Sequence, residues 1–236
     1  MTDAAMVRVE ARPADQQADG GSRPTSPLQS LLVRPITIKV AKALLVREHY
    51  LRSLPGGTQL AFGVFLESCL LGALTMGVGP FNGHSLVEGA ARGECLTLSR
   101  LWLSEELPKN SESLVIGAVL RALRKYTDLK FILSYADPVQ GHVGIIYQAS
   151  NWIYTGLSIA MPLYDMGDGK PHHSRSIGNT YGTHSVKYLQ SHGVDIKAVP
   201  QTAKHRYLYF LDQGWQDRLR CPVLPYPKLE AVDGTH

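Results

Sequence analysis

The run SESLVIGAVLRALRKY, followed four residues later by FILSYA, constrains this chain more than any other feature. In the first segment Val115, Ile116, Val119, Leu120 and Leu123 recur at three- and four-residue spacing. They form one apolar face, which predicts an amphipathic helix started by Asn110 or Ser111. FILSYA is short, mostly apolar and ended by Asp137-Pro138, the pattern of a strand buried on both faces. A helix with one stripe to hide and a strand with two faces to hide require a sheet with helices against it. The alternation continues through GHVGIIYQAS (helix), NWIYTGLSIA (strand), the polar stretch YDMGDGKPHHSRSIGNTYG, THSVKYLQSHG (helix) and KHRYLYFL (strand). The class is α/β.

Upstream, ITIKVAKALLVREHY places Ile38, Ala41 and Leu45 at helical spacing behind Thr37 as N-cap, and delivers His49 and Tyr50 at the C-terminal end. QLAFGVFLE and CLLGALTMGV read as a hairpin turning at Glu67 and Ser68; a Gly-rich loop and the strand ECLTLSRLWL follow. Helix, hairpin, long strand, then alternating helices and strands is the order of a GCN5-related N-acetyltransferase-like fold. Such a fold implies a mixed central sheet flanked by helices and splayed between its fourth and fifth strands.

At 236 residues and 44% hydrophobic content, wholesale disorder is excluded. Residues 1–27 lack any period and read as a disordered leader, 28–211 as a single acetyltransferase-like domain, and 212–236 as a Pro-rich tail on the surface. No apolar run approaches the ~20 residues of a membrane span, and the start has no apolar signal region. Cys69, Cys95 and Cys221 lack CxxC spacing, so the expected location is cytoplasmic.

Four groups of residues carry candidate chemistry. His49-Tyr50 is either a catalytic pair or a helix-end dipole partner with a packing ring. Arg100, with Asn110, Ser111 and Ser113 opening the next helix, either holds an anion or orients a carbonyl, or amounts to an ion pair and plain capping. Asp137, at a strand end, and Tyr147, on the following helix, either face one cleft or serve as turn opener and core filler. The fourth group runs from Lys170 to Arg206, where six cations (Lys170, Arg175, Lys187, Lys197, Lys204, Arg206) and five histidines stand against Asp195 alone. With Tyr181, Tyr188 and Tyr207 interleaved, this stretch suits phosphate contacts, or else is a solvated face. His172, His173, His184 and His192 lack the spacing of a convincing metal set.

The strings EHY, LSRLWLSEELPKNSES and SYADPVQGHVGIIYQASNWIYTG resemble the Mom family of phage and prophage adenine-modification proteins, over residues 35–160. The resemblance implies a DNA-modifying enzyme that converts the N6 amine of adenine to a carbamoylmethyl (acetamido) adduct and so hides phage DNA from restriction. It maps functional positions onto His49, Tyr50, Arg100, Ser113, Asp137 and Tyr147, all present here. Double-stranded DNA with a flipped adenine is the implied partner, Lys170, Arg175, Lys187, Lys204 and Arg206 its expected contacts, and no membrane partner is expected. Acetyltransferases cradle the coenzyme A pyrophosphate in a glycine-rich turn before the second helix; here Glu-Leu-Pro-Lys-Asn-Ser-Glu-Ser stands there, and Pro108 removes an amide donor, which counts against coenzyme A. The donor, a metal and a homodimer stay open. The competing readings are an acyl-CoA-dependent N-acetyltransferase and a non-catalytic DNA-binding accessory protein.

Overall fold

The computed structural model describes residues 7–8, 31–160, 162–168 and 171–228. Two compact units divide the chain. The first takes residues up to Tyr135, Gly144–Gly156 and Arg206–Pro227; the second takes Ala136–Val143 and Leu157–His205.

The first unit is built on an eight-stranded sheet. Its strands are β1 (Val7–Arg8), β2 (Leu31–Pro35), β3 (Thr58–Leu66), β4 (Cys69–Gly77), β5 (Cys95–Leu103), β6 (Phe131–Ala136), β7 (Ile153–Leu157) and β11 (His205–Phe210), in the order β1-β2-β3-β4-β5-β6-β11-β7. Within the leader, Val7 and Arg8 pair with Val33 and Leu32. The β2 to β5 pairings are antiparallel and β5–β6 is parallel, so the sheet is mixed, as expected. Helix α1 (Ile38–Glu48) is capped by Thr37, whose Oγ1 accepts from the Val40 amide, and it buries Ala41, Leu44 and Leu45 against Ala61 and Ala73. Helix α2 (Ser111–Tyr126) buries Val115, Ile116, Val119, Leu120 and Leu123, the face its spacing defines. Cutting any of these back to alanine costs about 2–5 kcal/mol.

Two features of β5 shape the site. Thr75 pairs with Arg100 while Met76 pairs with Leu98, so Ser99 is an extra residue in β5, a bulge that turns the strand and re-aims the side chain after it. On its other edge β5 pairs with β6 from Cys95↔Phe131 only to Leu98↔Ser134, although β5 runs on to Leu103 and β6 to Ala136. Counted from β2 these are the fourth and fifth strands, where the splay is expected.

Helix α3 (Ile145–Gln148) is a single turn, shorter than GHVGIIYQAS suggests, because Gly144 (φ +82°) and Asn151 (φ +58°) sit in left-handed conformations that stop it on either side. The tail forms a 3-10 turn over Gln213–Arg218 and then runs along β7: the Leu224 amide donates to Tyr154 O at 2.9 Å, and the Tyr226 hydroxyl to Trp152 O at 2.8 Å.

The second unit holds a three-stranded antiparallel sheet of β8 (Leu163–Asp165), β9 (Pro171–His173) and β10 (Lys197–Val199), in the order β10-β8-β9, with α4 (Ser174–Tyr181) and α5 (Val186–Ser191). Ile177, Leu189 and Ile196 form its core. The sequence reading expects only α5 here; strands of three residues are too short to display an alternating period.

Candidate functional site

In the first unit, His49 is the C-cap of α1, buried, its ring stacked on Tyr50 at 4.4 Å between centroids. The Leu51 amide donates to Nδ1 at 3.1 Å, so a neutral ring carries its proton on Nε2. Tyr50 is half exposed.

Arg100 follows the bulge. Its Nε donates to Ser53 O at 3.0 Å, one Nη to Ser99 O at 2.6 Å, and the other to Ser53 Oγ at 3.5 Å. The guanidinium thereby ties β5 to the loop behind His49 and Tyr50, using three of its five N–H groups. Burial lowers its pKa, against which the Tyr50 hydroxyl acts in the opposite sense. Beneath it, the Thr75 and Ser99 hydroxyls lie 3.2 Å apart.

Tyr147 is buried on α3, its ring 5.2 Å from those of Trp152 and Tyr207. Burial pushes its phenol up to about 12; a hydrogen bond with Ser134 pulls it back, and Tyr50 and Tyr207 add to the rise. Tyr50 therefore interacts electrostatically with both Arg100 and Tyr147. Of the six mapped positions the first unit holds His49, Tyr50, Arg100, Ser113 and Tyr147; in it His49 stacks on Tyr50 and Arg100 is bound to Ser53, which sequence reasoning missed, as it missed the buried Ser134 of β6. A serine inside an apolar strand is the signal that marks Ser134; Ser53 carries none.

Ser113 belongs to the first turn of α2. Its Oγ donates to Asn110 O at 2.9 Å, and the Ser111 Oγ donates to Pro108 O at 2.6 Å. Asn110 is left-handed (φ +70°) and makes no side-chain cap, so the capping expected from Asn110 or Ser111 is replaced by these hydroxyl-to-carbonyl bonds. With both serine protons directed at loop carbonyls and no glycine in the turn, the residues present do not fit the coenzyme A pyrophosphate.

In the second unit, Asp137 follows β6, accepts from the Val139 amide at 3.1 Å and pairs with Lys204 Nζ at 2.9 Å. Lys187 is exposed on α5. Arg206 belongs to the first unit and donates to Thr155, from Nε to Oγ1 at 2.8 Å and from Nη to the carbonyl at 3.1 Å. Lys170 and the Arg175 side chain lie outside the described residues. Among the described residues no three His, Cys, Asp or Glu side chains form a metal-holding group, and no helix is long and apolar enough to cross a membrane.

Residues 30–228 match the model of the Mom protein family. The chain belongs to that family. It is 30% identical over 212 residues to the methylcarbamoylase Mom of Escherichia phage Mu, covering 85% of each chain. Among solved structures, it resembles the Salmonella typhimurium acetyl transferase that modifies the N-terminal serine of ribosomal protein L7/L12 (TM-score 0.47, 9% identity, 88% of this chain and 100% of that one). It also resembles Arabidopsis thaliana NAA60 bound to a bisubstrate analogue (TM-score 0.46, 9% identity, 76% and 97%). A likeness of that size carries no activity from those proteins to this Mom-family chain.

Proposed function

We propose that this Mom-family chain is a DNA-modifying transferase that adds a carbamoylmethyl (acetamido) group to the N6 amine of adenine. Family membership over residues 30–228 is the observation that carries this reading, and the phage Mu methylcarbamoylase gives the class of group transferred.

The N6 amine is conjugated with the purine ring and is a weak nucleophile, so the enzyme has to align it, take its proton and help the leaving group depart. In duplex DNA that amine is base-paired, and flipping the base is the first step. The exposed ring of Tyr50 offers a stacking surface. Asp137 takes the N6 proton. Tyr147, whose buried phenol holds its proton throughout the physiological range, gives that proton to the leaving group. Arg100, through its remaining N–H groups, holds the donor's carboxamide or carboxylate, Ser113 Oγ, whose own proton is on Asn110 O, accepts from a carboxamide N–H, and His49 orients or shuttles a proton through Nε2. Lys170, Arg175, Lys187, Lys204 and Arg206 are the DNA-facing cations of this reading.

The test is expression in a bacterial host, digestion of host DNA to nucleosides and mass spectrometry, with the phage Mu relative in a parallel culture to establish that the donor is present. A modified deoxyadenosine in both cultures is the expected result. Modification by the relative alone, with this chain soluble in the cell, overturns the reading.

A further inference from the structure

Tyr188 on α5 and His192 at its C-cap, one turn further on, have no role in the chemistry above. Their rings are stacked, 4.0 Å between centroids and 28° between planes. The imidazole is held there through one nitrogen: Nδ1 lies 2.9 Å from Tyr188 O and 3.2 Å from Ser191 Oγ, which itself donates to the same carbonyl at 2.8 Å. A carbonyl only accepts, so Nδ1 carries a proton, and in the neutral ring Nε2 keeps a lone pair. The rest of the turn is anchored. Leu189 is buried with Ile177 and Ile196, Ser185 Oγ accepts from the Tyr188 amide at 3.3 Å, and Gln190 Nε2 donates to Ile196 O at 2.9 Å. Two rings already fixed against each other lose little freedom when a third joins them.

The stack is nevertheless uncovered: Tyr188 is 53% exposed, and Lys187 and His192 are exposed beside it. Lys187 forms no ion pair among the described residues, whereas Lys197 and Lys204 are paired with Asp195 and Asp137. An apolar protein or lipid surface laid on this face would cover the polar edges of both rings without satisfying them, and would desolvate Lys187. A nucleotide suits all three residues. It offers a flat π face to the rings, edge N–H and carbonyl groups to Nε2 and the phenol hydroxyl, and a phosphate to the lysine.

We propose that Tyr188 and His192 form a stacking site for an unpaired nucleobase, with Lys187 on a neighbouring phosphate, an inference that rests on the reading of DNA as the substrate. Opening a duplex to extrude one adenine breaks its stacking and pairing and leaves the opposite base without a partner. A preformed ring pair that takes such a base offsets part of that loss. The site therefore prefers opened DNA to intact duplex, and it is separate from the stacking surface of Tyr50, which serves the extruded adenine.

The full chain and its variants are titrated into two labelled duplexes of one sequence, the first fully paired, the second with a single thymine facing an abasic site, and thermal melts establish folding. The wild type should bind the second duplex about tenfold more tightly, the size of one base stacked on an aromatic ring. Tyr188→Ala should bind the two duplexes almost equally, and His192→Ala should move in the same direction. Tyr188→Phe, which keeps the ring, should keep the preference, and Lys187→Ala should weaken both duplexes alike. If Tyr188→Ala fails to fold, the comparison is made on Tyr188→Leu, which is apolar but has no ring. A wild type that binds both duplexes equally, a Tyr188→Ala protein that retains the preference, or a Tyr188→Phe protein that loses as much of it as Tyr188→Ala overturns the inference alone. A wild type that binds neither duplex overturns the reading of DNA as the substrate and the stacking site with it, so the two failures are distinct.

Discussion

Lys204 Nζ lies 2.9 Å from the Asp137 carboxylate, which joins a cation expected on the DNA to a carboxylate expected at the base. The pair is held on both sides. Asp137 accepts from the Val139 amide, and the backbone at Lys204 is locked to Ser158, whose amide donates to Lys204 O at 2.8 Å and whose Oγ accepts from the Lys204 amide at 3.0 Å. Asp137 is the more buried partner, with 19% of its side chain exposed against 40% for lysine, so its orientation depends on the pairing.

Lys204→Met keeps the stem of the side chain and removes the charge. A partly exposed ion pair contributes about 0.2–1 kcal/mol, so the melting temperature should move by only a few degrees. Modification should fall by about tenfold because the carboxylate loses its fixed aim, while Asp137→Ala should abolish it. A Lys204→Met protein that modifies DNA at the wild-type rate would show that the pairing does not serve the carboxylate.

Arg206 and Lys187 should separate stability from DNA binding. Arg206 donates twice to Thr155, and losing charge-assisted bonds of this kind costs about 1.5–3 kcal/mol each, so Arg206→Ala should lower the urea midpoint clearly. Lys187 is exposed on α5, and Lys187→Ala should leave stability within about 0.5 kcal/mol while reducing the slope of log affinity against log salt by about one. Urea unfolding and duplex binding across a salt series give both numbers; a salt slope unchanged in Lys187→Ala removes that residue from the DNA contacts.

Tyr147 predicts a signature in alkali. Burial raises its pKa from an ordinary 10 to about 12 in the folded state, so the folded form holds its proton more tightly than the unfolded one. That stabilisation is complete below pH 10 and is lost as pH rises toward 12, amounting to about 3 kcal/mol over the interval and about 1.4 kcal/mol by pH 11. Tyr147→Phe cannot ionise, so its unfolding free energy should fall less steeply than that of the wild type between pH 9 and pH 11. Parallel curves would mean that the phenol is not desolvated as described.

The sequence made the first unit legible where periods are long. The faces of α1 and α2, the hairpin β3–β4 and the strand β6 all follow from spacing, because each buries a regular stripe or both faces of a strand. The second unit was illegible in its sheet and in α4, whose strands of three residues show no period. In the site, motif resemblance indicated Tyr50, Arg100 and Tyr147 but not what holds them. The bond from Arg100 to Ser53 spans 47 residues of chain and that from Ser134 to Leu98 spans 36, and neither partner carbonyl has a side-chain signature. The pairing of Asp137 with Lys204 was hidden similarly, each residue having a sufficient local reading of its own.

Gly144 fixes where Tyr147 stands. Its φ of +82° belongs to the left-handed region, and a Cβ built there would lie 2.8 Å from Cζ and 3.0 Å from the hydroxyl of Tyr207. Tyr207 is wholly buried among Tyr147, Tyr154 and Tyr226, and its hydroxyl accepts from Gln148 Nε2 at 3.1 Å, so the ring has little room to give way. Gly144→Ala therefore carries both a backbone and a packing penalty, together about 2–5 kcal/mol. Because the Gly144 carbonyl accepts from the Tyr147 and Gln148 amides, relief of the clash has to displace the start of α3 and with it the Tyr147 hydroxyl. Gly141 has the same kind of backbone (φ +69°) but open space around it, so Gly141→Ala bears the backbone penalty alone. Melting temperature and DNA modification should fall together in Gly144→Ala, with the larger loss in modification, and Gly141→Ala should melt closer to the wild type. Equal melting temperatures for the two variants would show that contact with Tyr207 does not set the position of α3.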